Sequence, residues 1–137
     1  MFQSSVIEIN ADALHHNLDF LRGRIPKETE FCSVIKGNAY GHGIDLFVPL
    51  AEKCGVRHFA VFGADEALQA SFARRCDSDL MIMGWLDSAE IEWAIENELS
   101  FWVFDCERLH VALSAARRVG KPARVHLELE TGLNRTG

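Results

Sequence analysis

Phe31-Cys32-Ser33-Val34-Ile35-Lys36-Gly37-Asn38-Ala39-Tyr40-Gly41-His42-Gly43 opens on a short apolar, β-branched run and gives way at Lys36 to a loop with three glycines. The run reads as a strand and the glycines as the turn that ends it. Four more such runs begin near His58, Asp79, Ser100 and Ala123. Successive starts lie 27, 21, 21 and 23 residues apart, the length of a strand, a loop, a helix and a second loop. The chain reads β-α-β-α-β, and such units pack as right-handed crossovers onto a parallel sheet.

The intervening helices are placed by their ends as well as by their periodicity. Asn10 is a candidate N-cap, followed by Leu14, Leu18, Leu21 and Ile25 as one apolar stripe, so a helix precedes the first strand. Asp87 and Glu90 have the spacing of a capping box ahead of Ile91, Ala94 and Ile95. Asp105 starts a helix carrying Leu109, Ala112, Leu113 and Ala116, and Gly120 with Pro122 ends it. Pro49 removes a helical donor, so the segment from Asp45 to Cys54 is expected to become regular only close to that residue.

Repeated parallel βα units leave two architectures, an open doubly wound sheet or a closed (β/α)8 barrel. The G-x-G-x-x-G of nucleotide-binding sheets is absent, because the first strand runs into Val34-Ile35-Lys36-Gly37-Asn38. A barrel needs about 250 residues, so 137 residues with five strands is an incomplete one.

Composition limits the function. With 48% apolar and 25% charged residues the chain is an ordinary globular domain. Fourteen Lys and Arg against 20 Asp and Glu give a net charge of −6, which supplies no broad attraction to nucleic acid or anionic lipid. No stretch is apolar enough to span a membrane, and Met1 to Asp12 lacks the pattern of an export signal, so the expected compartment is the cytoplasm. Cys32, Cys54, Cys76 and Cys106 form no C-x-x-C pair and are read as reduced, mostly packed thiols.

In a parallel barrel the carboxyl ends of the strands carry the active site, which places Lys36 where chemistry occurs. A lysine whose stem lies between apolar walls is disposed to react as the neutral amine, the form that attacks carbonyls. A solvated lysine beside a flexible loop is the alternative on position alone.

Val34-Ile35-Lys36-Gly37-Asn38-Ala39-Tyr40-Gly41-His42-Gly43 resembles the pyridoxal-phosphate attachment motif of the alanine racemase family, whose common form has Ala where Gly37 stands. His126-Leu127-Glu128-Leu129-Glu130-Thr131-Gly132-Leu133-Asn134-Arg135-Thr136-Gly137 resembles the family's strand and turn around its active-site arginine, and Ala60 to Leu68 and Met81 to Gly84 resemble its second and third barrel strands. The resemblance spans nearly the whole chain and implies a fold-type III pyridoxal-phosphate barrel, of which this chain supplies about the first five βα units. It implies that Lys36 attaches the cofactor and moves the α-proton on one face of the substrate. Tyr40 would hydrogen-bond the cofactor phosphate, and Arg135 would sit near the cofactor's phenolic oxygen and the substrate carboxylate.

Glu128 departs from the family pattern, in which many members have a lysine whose carbamylated amine orients the arginine. Its carboxylate keeps the negative sign, and a Glu128–Arg135 pair is expected. Alternation puts His126, Glu128 and Glu130 on one face of the last strand, lining the interior, with Leu127 and Leu129 under the helices. The three polar groups could also ligate a metal, but no further ligand cluster accompanies them, and no metal is expected. Trp85, Trp93 and Trp102 are read as core or subunit-contact residues, with Trp85 close enough to the third strand to approach the site.

The reading is a pyridoxal-phosphate-dependent amino-acid racemase with alanine as the leading substrate; a racemase of other or broad specificity and a non-catalytic pyridoxal-phosphate-binding barrel are the alternatives. The family implies a homodimer when full length, with an opposing tyrosine base from a C-terminal β-domain outside this chain. It also implies D-alanine for the cell wall as the usual product. The 137 residues alone are expected to be inactive.

Overall fold

The computed structural model describes residues 5–137, so the first four residues of the amino-terminal reading lie outside the described residues. Helix α1 (Ala11–Arg22) precedes β1 (Cys32–Val34), which runs into a single turn, α2 (Lys36–Tyr40), and then α3 (Ile44–Lys53). There follow β2 (His58–Val61), α4 (Ala64–Ala73), β3 (Asp79–Ile82), α5 (Ser88–Glu96), β4 (Ser100–Val103), α6 (Cys106–Val119) and β5 (Arg124–Leu127). All four strand pairs are parallel, in the order β1-β2-β3-β4-β5.

That order decides between the two architectures. A doubly wound sheet reverses direction at a switch point, whereas here every strand is added on the same side of its predecessor, as in the wall of a (β/α)8 barrel. Four strands are each followed by a helix and the fifth contributes its strand and a turn, one helix short of five complete units.

Each strand presents one face to the helices. Phe59 and Val61, Leu80 and Ile82, and Phe101 and Val103 are buried there against Ala67 and Ala70 of α4, Ile91 and Ala94 of α5, and Ala112 and Ala115 of α6. Each fully buried large apolar side chain contributes about 1.5–3 kcal/mol, and the helix alanines are small enough to let the helices lie close on the sheet. The opposite parity holds Ala60, Met81, Trp102 and His126, where the Trp102 indole donates to the Met81 sulfur at 3.1 Å. At the strand starts Asp79 accepts from Arg124 at 2.8 Å and lies 3.4 Å from His58. This cluster is at the end of the sheet opposite Lys36.

The expected caps are realised, although α1 stops at Arg22, before Ile25, and Leu21 of its apolar stripe is exposed. Asn10 accepts from the Ala13 amide at 2.9 Å, Asp87 and Glu90 form the reciprocal capping box, and Asp105 caps α6, which stops at Gly120 with φ +75°. Strand starts shift by one residue, from Phe31 to Cys32 and from Ala123 to Arg124.

Other expectations fail. Helix α3 begins at Ile44, well before Pro49, because Ile44, Val48 and Ala51 are fully buried on one face; the donor Pro49 lacks would serve the carbonyl of exposed Asp45. Strand β5 ends at Leu127 rather than continuing to Glu130, since its partner β4 ends at Val103 and only the Glu128 amide still reaches the ladder, at 2.9 Å. Leu127 and Leu129 are consequently exposed instead of covered. The four cysteines are unpaired, as expected, but Cys32, Cys76 and Cys106 are exposed rather than packed. Among the described residues no helix is long and apolar enough to cross a membrane.

Candidate active site

Ile35 is fully buried and its amide donates to the Ala60 carbonyl at 2.7 Å, so the chain is held to the sheet up to the residue before Lys36. It then enters a left-handed turn, with Gly37, Asn38, Ala39 and Tyr40 at φ of +63°, +53°, +54° and +53°. Three of these residues have side chains, and left-handed helical geometry costs roughly 1–2 kcal/mol for each. Such a turn persists only where its surroundings over-determine it.

Those surroundings are specific. Ala39 is buried, anchoring the turn from beneath. The Asn38 side chain accepts from the Ile44 amide at 2.9 Å, capping α3 from outside because the residue at its own N-cap, Gly43, has no side chain. Glu66, in the first turn of α4, accepts from the Gly37 amide at 2.5 Å, the Asn38 amide at 3.3 Å and the Phe62 amide at 3.0 Å. His42 stacks on Phe47 and belongs to the packing of the loop.

The result is an open cleft of about 430 Å³ lined by Lys36, Gly37, Tyr40, Phe62, Asp65 and Glu66. Lys36 and Tyr40 are thus brought together, both exposed. The expected enclosure of the lysine stem by apolar walls is not formed, because the sheet is open beside β1, its edge strand. The donor set, a primary amine for a carbonyl carbon and a phenolic O–H for an anionic oxygen, fits an aldehyde that carries a phosphate.

Arg135 follows the other edge strand and is exposed. Its amide donates to Glu130 at 3.3 Å, and the same carboxylate receives the amides of Gly132 and, at 2.6 Å, Asn134. These backbone donors, Gly132 first, hold the Glu130 carboxyl below the usual glutamate range. The expected Glu128–Arg135 pair is not formed: among the described residues no ion pair joins them. Glu128 instead accepts from the Thr136 hydroxyl at 2.8 Å, and its second carboxylate oxygen is buried without a partner. The turn through Gly132 and Asn134, both at positive φ, returns the chain so that Thr136 rather than Arg135 meets the short glutamate. Among the described residues no group of three metal-ligating side chains assembles.

Sequence reasoning missed Glu66, Asn38 as a cap, and Gly84. A Cβ at Gly84 would stand 2.4 Å from the Phe62 carbonyl oxygen, to which the Gly84 amide donates at 2.9 Å. Glu66 lies in the Ala60 to Leu68 stretch that resembles the family's second barrel strand, but as a residue it is marked only as an acid early in the helix after β2. Trp85 is 62% exposed at the end of β3, with the buried Arg108 guanidinium 4.8 Å from its ring; Trp93 packs against the core and Trp102 lies on the inner face.

A parallel barrel wall with an amine at the carboxyl end of its first strand defines a class of α/β proteins whose chemistry is carried on strand-end loops. Within that class, residues 9–137 match the family described as alanine racemase, N-terminal domain, and the chain belongs to that family. It is 32% identical over 136 residues to alanine racemase 2 of Oceanobacillus iheyensis, covering 99% of this chain and 34% of that protein. The crystal structure of alanine racemase from E. faecalis superposes with a TM-score of 0.85 at 32% identity, covering 94% of this chain and 35% of that one. Histidine racemase from Leuconostoc mesenteroides superposes with a TM-score of 0.82 at 25% identity, covering 93% and 34%. The chain spans about a third of the length of the curated relatives it matches.

Proposed function

We propose that the protein bearing this chain is a pyridoxal-phosphate-dependent amino-acid racemase with alanine as its substrate, and that these residues form part of its cofactor-binding barrel. The observation that carries the reading is Lys36, displayed on an over-determined left-handed turn at the carboxyl end of β1 with the Tyr40 phenol beside it in one cleft. Pyridoxal phosphate, when bound, supplies the electron withdrawal that acidifies the α-proton of an amino acid.

Lys36 would hold the cofactor through Nζ and, once released, take or return the α-proton on one face. Tyr40 would donate its O–H to the phosphate. Arg135 would bind the carboxylate side of the reactants through its planar guanidinium. A base for the opposite face, dimer formation, cytoplasmic location and D-alanine supply to the cell wall complete the reading. The likeness to a histidine racemase favours one second reading, the same chemistry on another or a broader set of amino acids.

The test is borohydride reduction of the protein incubated with pyridoxal phosphate, followed by peptide mass mapping, with Lys36→Ala as control. A pyridoxyl mass confined to the Lys36 peptide supports the reading. Scattered labelling of the full-length protein, unchanged in Lys36→Ala, refutes it. Solvent-deuterium exchange into alanine, serine, lysine and histidine then separates racemases of different specificity from a non-catalytic cofactor-binding barrel, which exchanges none.

A further inference from the structure

Glu66 stands outside the two motifs that hold Lys36 and Arg135, yet three backbone donors from two strand ends converge on its carboxylate. One oxygen receives Gly37 and Asn38 and the other receives Phe62. The Gly37 amide is the far side of the peptide that leaves Lys36, so its direction sets the plane in which the lysine departs from the sheet. Tyr40 ends the same left-handed turn. Phe62 is gripped from its other side by Gly84, whose amide donates to the Phe62 carbonyl at 2.9 Å.

We propose that Glu66 is the positioning residue of the lysine loop: by receiving the amides of Gly37, Asn38 and Phe62 on one carboxylate, it locks the left-handed turn onto β2 and aims Lys36 and Tyr40 into the cleft. Only an ionised carboxylate accepts on every face; glutamine would turn an N–H donor toward one of the three amides. Among the described residues no ion pair joins Glu66 to Lys36, so the carboxylate serves the loop backbone and not the ammonium. What the aimed amine does rests on the racemase reading, but the grip itself does not.

The experiment compares Glu66→Gln, Glu66→Asp and Glu66→Ala with Gln69→Ala on the same helix, in the full-length protein. Amide hydrogen exchange at Gly37, Asn38 and Phe62 is read against Ile35, whose bond to Ala60 is independent of Glu66. The three amides should exchange about tenfold faster or more in Glu66→Ala, as loss of a charged acceptor implies, with Ile35 unchanged and Asp intermediate, and in Glu66→Gln the loss should fall on the amide that meets the new N–H donor. The rate of pyridoxyl labelling at Lys36 should fall with them, and Gln69→Ala should match the unsubstituted protein. Unchanged exchange at all three amides in Glu66→Gln, or at Gly37 and Asn38 in Glu66→Ala, overturns the proposal, as does full-rate labelling of Lys36 in Glu66→Ala. If Glu66→Ala also loses Ile35 protection, the isosteric Gln variant decides. Should the unsubstituted protein fail to label at Lys36, the racemase reading falls, and the exchange rates in the same samples still decide the role of Glu66.

Discussion

Gly37 sits at φ +63° with nothing within 4 Å of where a Cβ would be. Its backbone angle is therefore the only obstacle to the alanine found in the common form of the motif. Gly37→Ala should lower stability by about 1 kcal/mol in denaturant titrations while leaving Lys36 labelling intact. Glu130 offers a pH test with a definite sign. Its folded-state pKa is depressed, so the turn gains stability from it above the ordinary glutamate range, and that contribution is lost as pH falls through the lower folded value. Exchange at the Asn134 amide should accelerate below about pH 4, and in Glu130→Gln it should be fast and insensitive to pH in that range once the intrinsic chemical rate is divided out. Lys36 and Tyr40 were legible in the sequence because one contiguous motif holds both. Glu66 was not, because its partners lie up to 29 residues away and are backbone amides, which leave no mark in residue identity.

Elements differ in how much of their cause is local. Helix α5 is set by its own capping box, in which Asp87 receives the Glu90 amide at 2.8 Å and Glu90 receives the Asp87 amide at 2.7 Å. Asp87→Ala should cost about 1 kcal/mol in equilibrium unfolding, the usual value of an N-cap. Helix α3 is the opposite case, formed against its own propensity. Since burial of Ile44, Val48 and Ala51 carries it across Pro49, Pro49→Ala should raise stability, by at most about 3 kcal/mol, by restoring one donor. A melting temperature that falls instead would show that the Pro49 ring packs better than a helical amide bonds. The strand β5 shows the same dependence on a neighbour, ending where β4 ends rather than where its own alternation stops.

Across the whole molecule, the sheet has two open edges, β1 and β5, with Val34 and Leu127 exposed on them. Parallel strands exposed in this way template further pairing. The 137-residue chain alone should self-associate in a concentration-dependent manner by sedimentation velocity, and a sharp monomer at all concentrations would contradict that. The same openness leaves Lys36 and Arg135 on loops after opposite edges, each displayed but not assembled into one enclosed site.

Five strands, the capped helices and the motif that holds Lys36 and Tyr40 are legible from residue order alone, because hydrophobic period, caps and turn residues act within a few positions of one another, and the resemblance of that motif already implied a barrel. Long-range packing set the passage of α3 through Pro49, the end of β5, the Glu128–Thr136 contact in place of an arginine pair, and the grip of Glu66 on the lysine loop. Each of those depends on what a distant segment places alongside, and burial or a backbone hydrogen bond across the fold overrides what the local residues prefer.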